Sequence, residues 1–294
     1  MSHVAPVPAP DQSASTGVAA SSICAAAWHP GDLIGGHTGV MLELNAGDAT
    51  AIVSPSDGGR VARLCVGGTE LLVRGTGADH PMMWGSFPMA PYAGRVRNAR
   101  FEFRGATVEL EPSLAPHAIH GTAFTTAWDV LDDGPDHAEL SCRLSWPLGG
   151  MAHQHLQLTA GALVCVLTVV AGDRPLPAVL GWHPWFVRPA HDRLGFGAMY
   201  ERGSDGLPTG RTVSPSPRPW DDCFVDPVSP LVLDYGHLLV TVSSDADHWV
   251  VYDEPAHAIC IEPQSGPPDA FNIGGAAVLE PGEFVQRMMT IAWT

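Results

Sequence analysis

The chain divides its apolar residues into short runs separated by turn signals. Beyond Gly39, the stretch VMLELNAGDATAIVSPSDGGRVARLCVGGTELLV is cut by NAGD, PSDGG and VGG. Punctuation of this kind marks turns between half-buried strands. ARFEFRGATVELEP alternates apolar and polar residues around RG, a hairpin signal. AELSCRLSW, HQHLQLTAGALVCVLTVVAG, HLLVTVSSDADHWVVYDE, HAICIEP and EFVQRMMTIAWT continue the pattern. No segment sustains a helical period between caps. The pattern predicts an all-β protein, a large antiparallel β-sandwich of two packed sheets. No repeat of fixed period is visible, which argues against a propeller.

The 294 residues provide ample chain for a real core. Residues 1–25 are rich in Ala, Pro and Ser and read as a disordered tail, leaving 26–294 as a single domain. The start lacks a basic segment followed by a long apolar core, so no secretory signal is expected. No apolar run is long enough to span a bilayer. These features predict a cytoplasmic protein, monomeric or homodimeric, that does not engage a membrane. A net charge of −16 argues against nucleic acid and anionic lipid as partners, both of which need basic patches. The chain contains no lysine, which excludes Schiff-base chemistry, pyridoxal-phosphate attachment and a Walker-type phosphate lysine. Six scattered cysteines form no C-x-x-C pair, and several sit in strand-like runs where a thiol serves as a small hydrophobe.

Several segments carry residues suited to chemistry. His153 and His155 in HQH fall on one strand face, where they either pair on a metal or are solvated. MAPYAGRVRNARFEFRG holds Arg95, Arg97, Arg100 and Arg104 at an expected loop-to-hairpin junction. An arginine fork there can donate to a ligand, or simply solvate an edge strand. APHAIHG sets His120 before a glycine, where the backbone can approach a ligand closely. His183 lies between Trp182 and Trp185 in VLGWHPWFV, and Glu262 ends an apolar run in CIEPQSGPPDAFN. Half-buried ionisable groups are costly unless paired or used.

In this order, GRVRNARFEFRG, HAIHG followed by a tryptophan, GWHPWF, DDCF and IEPQSGPPDAFN resemble the aldose 1-epimerase (galactose mutarotase) family across roughly residues 40–294. The resemblance implies a large antiparallel sandwich and interconversion of the α and β anomers of a free aldose. It implies His183 as general acid, Glu262 as general base, and Arg95, His120, Asp221, Trp182, Trp185 and Gln264 as substrate contacts. Asp222 rivals Asp221. No metal and no organic cofactor are implied. Gly94 stands where the family pattern has an asparagine before the arginine. That departure keeps a catalytically impaired sugar-binding protein as an alternative, beside a hexose-6-phosphate 1-epimerase. An acid and a base acting on one pyranose are expected to face one open cleft, flank a space about a sugar ring wide, and make no hydrogen bond to each other.

Overall fold

The computed structural model describes residues 39–75 and 79–294. The tail read for residues 1–25 lies outside the described residues. An 11-stranded sheet packs over an 8-stranded one. The larger sheet runs Leu42–Ala46, Ala49–Ser54, Arg60–Val66, Ser86–Met89, Gly181–Val187, Ala258–Gln264, His248–Tyr252, Asp221–Pro227, Phe196–Arg202 and Pro208–Val213, with Thr69–Glu70 beside Arg60–Val66. The smaller runs Asp129–Asp133, His137–Arg143, Met151–Leu158, Ala162–Val170, Phe284–Trp293, Leu239–Ser244, Leu231–Asp234 and His191–Arg193. Neighbouring strands pair antiparallel. The all-β sandwich expected from the turn punctuation is the fold observed.

The smaller sheet has one covered face. Met151–Leu158 and Ala162–Val170 alternate partly buried and buried residues. Their inward Leu156, Leu163 and Leu167 meet Leu44, Leu64, Trp182, Phe186 and Ile261 in one apolar cluster between the sheets. Each fully buried leucine or phenylalanine of this kind contributes roughly 1.5–3 kcal/mol of hydrophobic stabilisation. His153 and His155 fall on the opposite, half-exposed face, and His155 Nδ1 stands 3.4 Å from Glu139.

The larger sheet is covered on both faces at its centre. All seven residues of Ala258–Gln264 are buried, which is why AICIEPQ does not alternate. A second apolar cluster of Phe87, Met89, Phe124, Trp185 and Cys260 lies on the side away from the sandwich core. Segments around Ala93, Phe124 and Ala270 close over it. Cys142, Cys165, Cys223 and Cys260 are buried free thiols, as expected of small hydrophobes. Cys65 is disulfide-bonded and falls outside that reading.

Candidate active site

The site is built on the outer face of the larger sheet by strand register. Gly181 pairs with Gln264 and Trp185 with Cys260, so His183 faces Glu262 between them. On its other side His183 pairs with Phe87. Glu262 pairs with Val250, and Val250 with Cys223. Tyr252 pairs with both Cys260 and Asp221. Side chains two apart share a face of a strand. The sheet therefore presents His183 and Trp185, Glu262 and Gln264, Tyr252 and Asp221 to one side.

These residues line a cleft of about 330 Å³ with Arg95, His120, Met82, Leu114 and Glu254. Trp182 is absent from it. It sits one residue from His183, points the other way, and is 1 % exposed within the core between the sheets. Its Nε1 donates to Gln154 Oε1 at 3.3 Å. The expectation that Trp182 contacts substrate is therefore corrected by strand parity.

Arg95 and His120 reach the cleft from a short two-stranded ribbon over the sheet. Arg95 pairs with Ile119, and His120 follows directly. His120 adopts a positive φ of 60°, and Gly121 one of 73°. A Cβ on Gly121 would stand 2.0 Å from the Ala90 carbonyl oxygen, so glycine is required there. Gly94 donates its N–H to His120 Nδ1 at 3.3 Å, and its own carbonyl accepts the His120 N–H at 3.0 Å. The first bond leaves the proton of the neutral ring on Nε2, making His120 a donor. Gly94 has φ 69°, and a Cβ there would lie 2.7 Å from Pro268 Cβ. Pro268 thus leaves no room for a side chain at position 94.

His183 Nε2 stands 3.2 Å from Glu262 Oε1. The expected ring-wide gap is not there. In the anomer interconversion that the resemblance implies, O1 and O5 are both bonded to C1, so an acid and a base serving them would converge on one carbon. His183 is stacked between Phe87, 4.8 Å between centroids, and Trp185, 5.4 Å. His120 meets it edge-on at 5.1 Å. Gln264 Nε2 donates to Glu262 Oε2 at 3.2 Å.

Burial controls the protonation of these groups. It pushes the Glu262 carboxyl well above the usual carboxylate range, with Asp221 adding to the effect. It pushes His183 down, with the charge of Arg60 adding, and holds His120 well below the histidine value. His120, His183 and Glu262 place a ligand atom each within 4.8 Å of one another. A metal would need a lone pair on each, and the Gly94 bond puts a proton on the free nitrogen of His120. The set fits acid–base work better than a metal ion.

Among the arginines singled out in the sequence, Arg95 alone lines this cleft. Its Nη2 lies 3.6 Å from Asp221 Oδ2. Arg97 is occupied by Asp269 at 3.0 Å and by Asp205, and Arg100 is exposed at the start of a strand. Asp221 faces the cleft, whereas Asp222 is held by Arg202 Nε at 3.2 Å outside it. Arg95→Lys is expected to raise KM, because lysine loses the planar fork, while Arg97→Lys leaves KM unchanged and lowers thermal stability. Equal KM values for Arg95→Lys and the parent would remove Arg95 from the binding set.

Residues 41–292 match the family model described as Aldose 1-epimerase. The chain belongs to the aldose 1-epimerase family. Solved structures of this family type share its fold at low identity. A candidate aldose 1-epimerase from Escherichia coli K12 superposes with a TM-score of 0.78 at 21 % identity, covering 87 % of this chain and 99 % of that one. A galactose mutarotase-like protein from Clostridium acetobutylicum gives 0.76 at 17 %, covering 86 % and 94 %. Among curated proteins, the uncharacterized protein YphB of Escherichia coli K12 is 30 % identical over 115 residues, which is 37 % of this chain and 39 % of YphB.

Other residues of this aldose 1-epimerase family member at the cleft escape a motif reading. Phe87, behind His183, and Tyr252, beside Asp221, belong to ordinary-looking strands. Only the parity of Tyr252 within HWVVYDE, once the topology is known, assigns it to the site face.

Proposed function

We propose that the protein is an aldose 1-epimerase acting on a free monosaccharide, with His183 and Glu262 as the acid–base pair. The observation that carries this reading is the opposition of these two buried groups at 3.2 Å on the floor of a cleft that Arg95, His120 and Asp221 also line. With the pair's one proton transferred to His183 across the 3.2 Å contact, Glu262 takes the proton of the O1 hydroxyl. The O1 electrons form the C1=O1 bond, the C1–O5 bond breaks, and O5 takes a proton from His183. Rotation about C1–C2 turns the aldehyde over. O5 then attacks the other face and returns its proton to His183, while O1 recovers one from Glu262. The pair holds one proton before and after. His120 donates from Nε2, and Arg95 from its guanidinium, to sugar oxygens as charge develops. The apolar face of Trp185 suits sugar C–H groups.

Polarimetry of freshly dissolved α-aldoses tests the proposal. Accelerated approach to the anomeric equilibrium is expected, and no acceleration for any aldose in the panel would remove it. The alternative of a sugar phosphate finds no support in the arginines. Arg97 is engaged by Asp205 and Asp269, Arg100 is exposed at the start of its strand, and neither lines the cleft. The alternative of an impaired sugar-binding protein rested on Gly94, whose N–H here orients His120.

One shared proton has a pH signature. As pH falls, His183 gains a second proton for the pair and the base is lost. Burial and Arg60 lower that affinity, so the acid limb of kcat/KM is expected below the ordinary histidine value. As pH rises, the shared proton leaves. Burial raises the Glu262 affinity, so the alkaline limb is expected well above the ordinary carboxylate value. A profile that titrates with a single ordinary carboxylate limb would contradict a buried one-proton pair.

A further inference from the structure

We infer that Arg60, which touches neither the cleft nor substrate, is a positioning residue that fixes His183 through the ring of Phe87. The inference rests on the assignment of His183 as the acid of the pair. Arg60 opens the strand Arg60–Val66 and is fully buried. Its guanidinium donates to four backbone carbonyls: Asp57 at 2.6 Å, Pro81 at 2.7 Å, Trp84 at 3.0 Å and Phe124 at 3.3 Å. Three separate segments are tied by one side chain.

Two of those segments reach the cleft or the rings that back it. Between Pro81 and Trp84 lie Met82 and Met83, which line it. Met82 also accepts the indole N–H of Trp185 at 2.6 Å. Phe124 packs edge-on to His120 at 6.4 Å and against Phe87 at 5.1 Å. The guanidinium carbon itself sits 4.1 Å from the Trp84 ring and 5.3 Å from the Phe87 ring. Phe87 in turn is stacked on His183 at 24° between planes. The order is guanidinium, phenyl, imidazole and indole, with Glu262 at the imidazole edge.

A surface arginine can be replaced with little effect, but a buried one that satisfies four carbonyls cannot shift without releasing them. The ring it backs therefore has one position, and so has the imidazole stacked on that ring. Arg60 also places a cation behind His183. The charged or titratable groups around His183 are Glu262 from the paired strand, His120 from the ribbon, and Arg60, with Asp57 close to Arg60. Burial pulls Arg60 down to about 10, which leaves it charged at neutral pH. A fixed cation behind His183 opposes a second positive charge there, which makes the imidazolium that delivers the O5 proton a stronger acid.

The test compares Arg60→Met, which keeps apolar bulk and removes charge and fork, with Arg60→Lys, which keeps charge and loses the fork. Polarimetric kcat and KM are measured across pH with the full chain, and the His183 ring is titrated by NMR. Arg60→Met is expected to lower kcat ~10–100-fold with KM little changed, as for a misplaced catalytic group. It should also move the acid limb and the His183 titration upward, because the repelling cation is gone. Arg60→Lys should lower kcat while leaving that titration near its parent value. If Arg60→Met does not fold, Phe87→Leu, which removes the relaying ring and keeps the guanidinium, should by itself lower kcat at constant KM. Variants that lose thermal stability alone, with kcat and the His183 titration unchanged, would overturn the inference. A parent protein without mutarotation would instead remove the functional assignment, and the NMR titration would still decide whether Arg60 acts on His183.

Discussion

Glu262→Gln is expected to slow anomer interconversion ~10²–10⁴-fold, the range typical of losing a general base, while sugar binding persists. The amide has the size of the carboxyl and can still meet Gln264 and His183. It cannot take the O1 proton, so the O–H electron pair is not released to form C1=O1 as the C1–O5 bond breaks. Both anomeric directions must slow equally, since one equilibrium is catalysed. His183→Asn should produce a loss of similar size at O5 protonation. The double variant should lose little more than either single one, because the two residues act as a unit on one proton. Polarimetry gives the rate, and quenching of Trp185 fluorescence by sugar gives the binding. Turnover near the parent value in Glu262→Gln would end its assignment as the base.

Trp182→Ala is expected to destabilise the protein by ~3–5 kcal/mol, the usual result of emptying a large buried aromatic site. The indole lies between the sheets, and its N–H satisfies Gln154, whose own amide donates to the Gly59 carbonyl at 2.6 Å. Truncation creates a cavity and leaves Gln154 Oε1 without that donor. Chemical denaturation measures the loss. KM at a temperature where the variant stays folded should match the parent. Trp185→Ala, which empties a site 2 % exposed that also lines the cleft, should lower stability and raise KM together. A small stability loss with a large KM change in Trp182→Ala would return that residue to the cleft.

The contrast between the two tryptophans shows what the sequence can reveal. The sandwich was legible because turn residues and alternation repeat along the chain, as in Met151–Leu158. His183 and Glu262 stood out because ionisable residues in apolar runs are conspicuous, and the motif resemblance linked them across about eighty residues. Trp182 and Trp185 look alike in GWHPWF, yet parity relative to His183 separates them. The 3.2 Å between His183 and Glu262 is not legible, because motif spacing carries no distance across a strand pair. Arg60 and Phe87 left no trace, since a buried arginine answers to carbonyls of distant segments, and backbone carbonyls have no sequence signature. Gly94 was visible as a departure, but Pro268, which leaves no room for a side chain there, lies far along the chain.

Because His183 meets Glu262 through the pairing of two neighbouring strands, the turnover proposed for this pair would report on how the chain has been assembled. A slip of one residue between Gly181–Val187 and Ala258–Gln264 would turn one set of side chains over, sending an ionisable group inward and an indole outward. Such a conformer would retain its β content and most of its compactness. Spectroscopy of secondary structure would pass it, whereas specific activity would not. For a refolded or heterologously produced sample, turnover per milligram is thus a stricter assay of correct assembly than any measure of strand content.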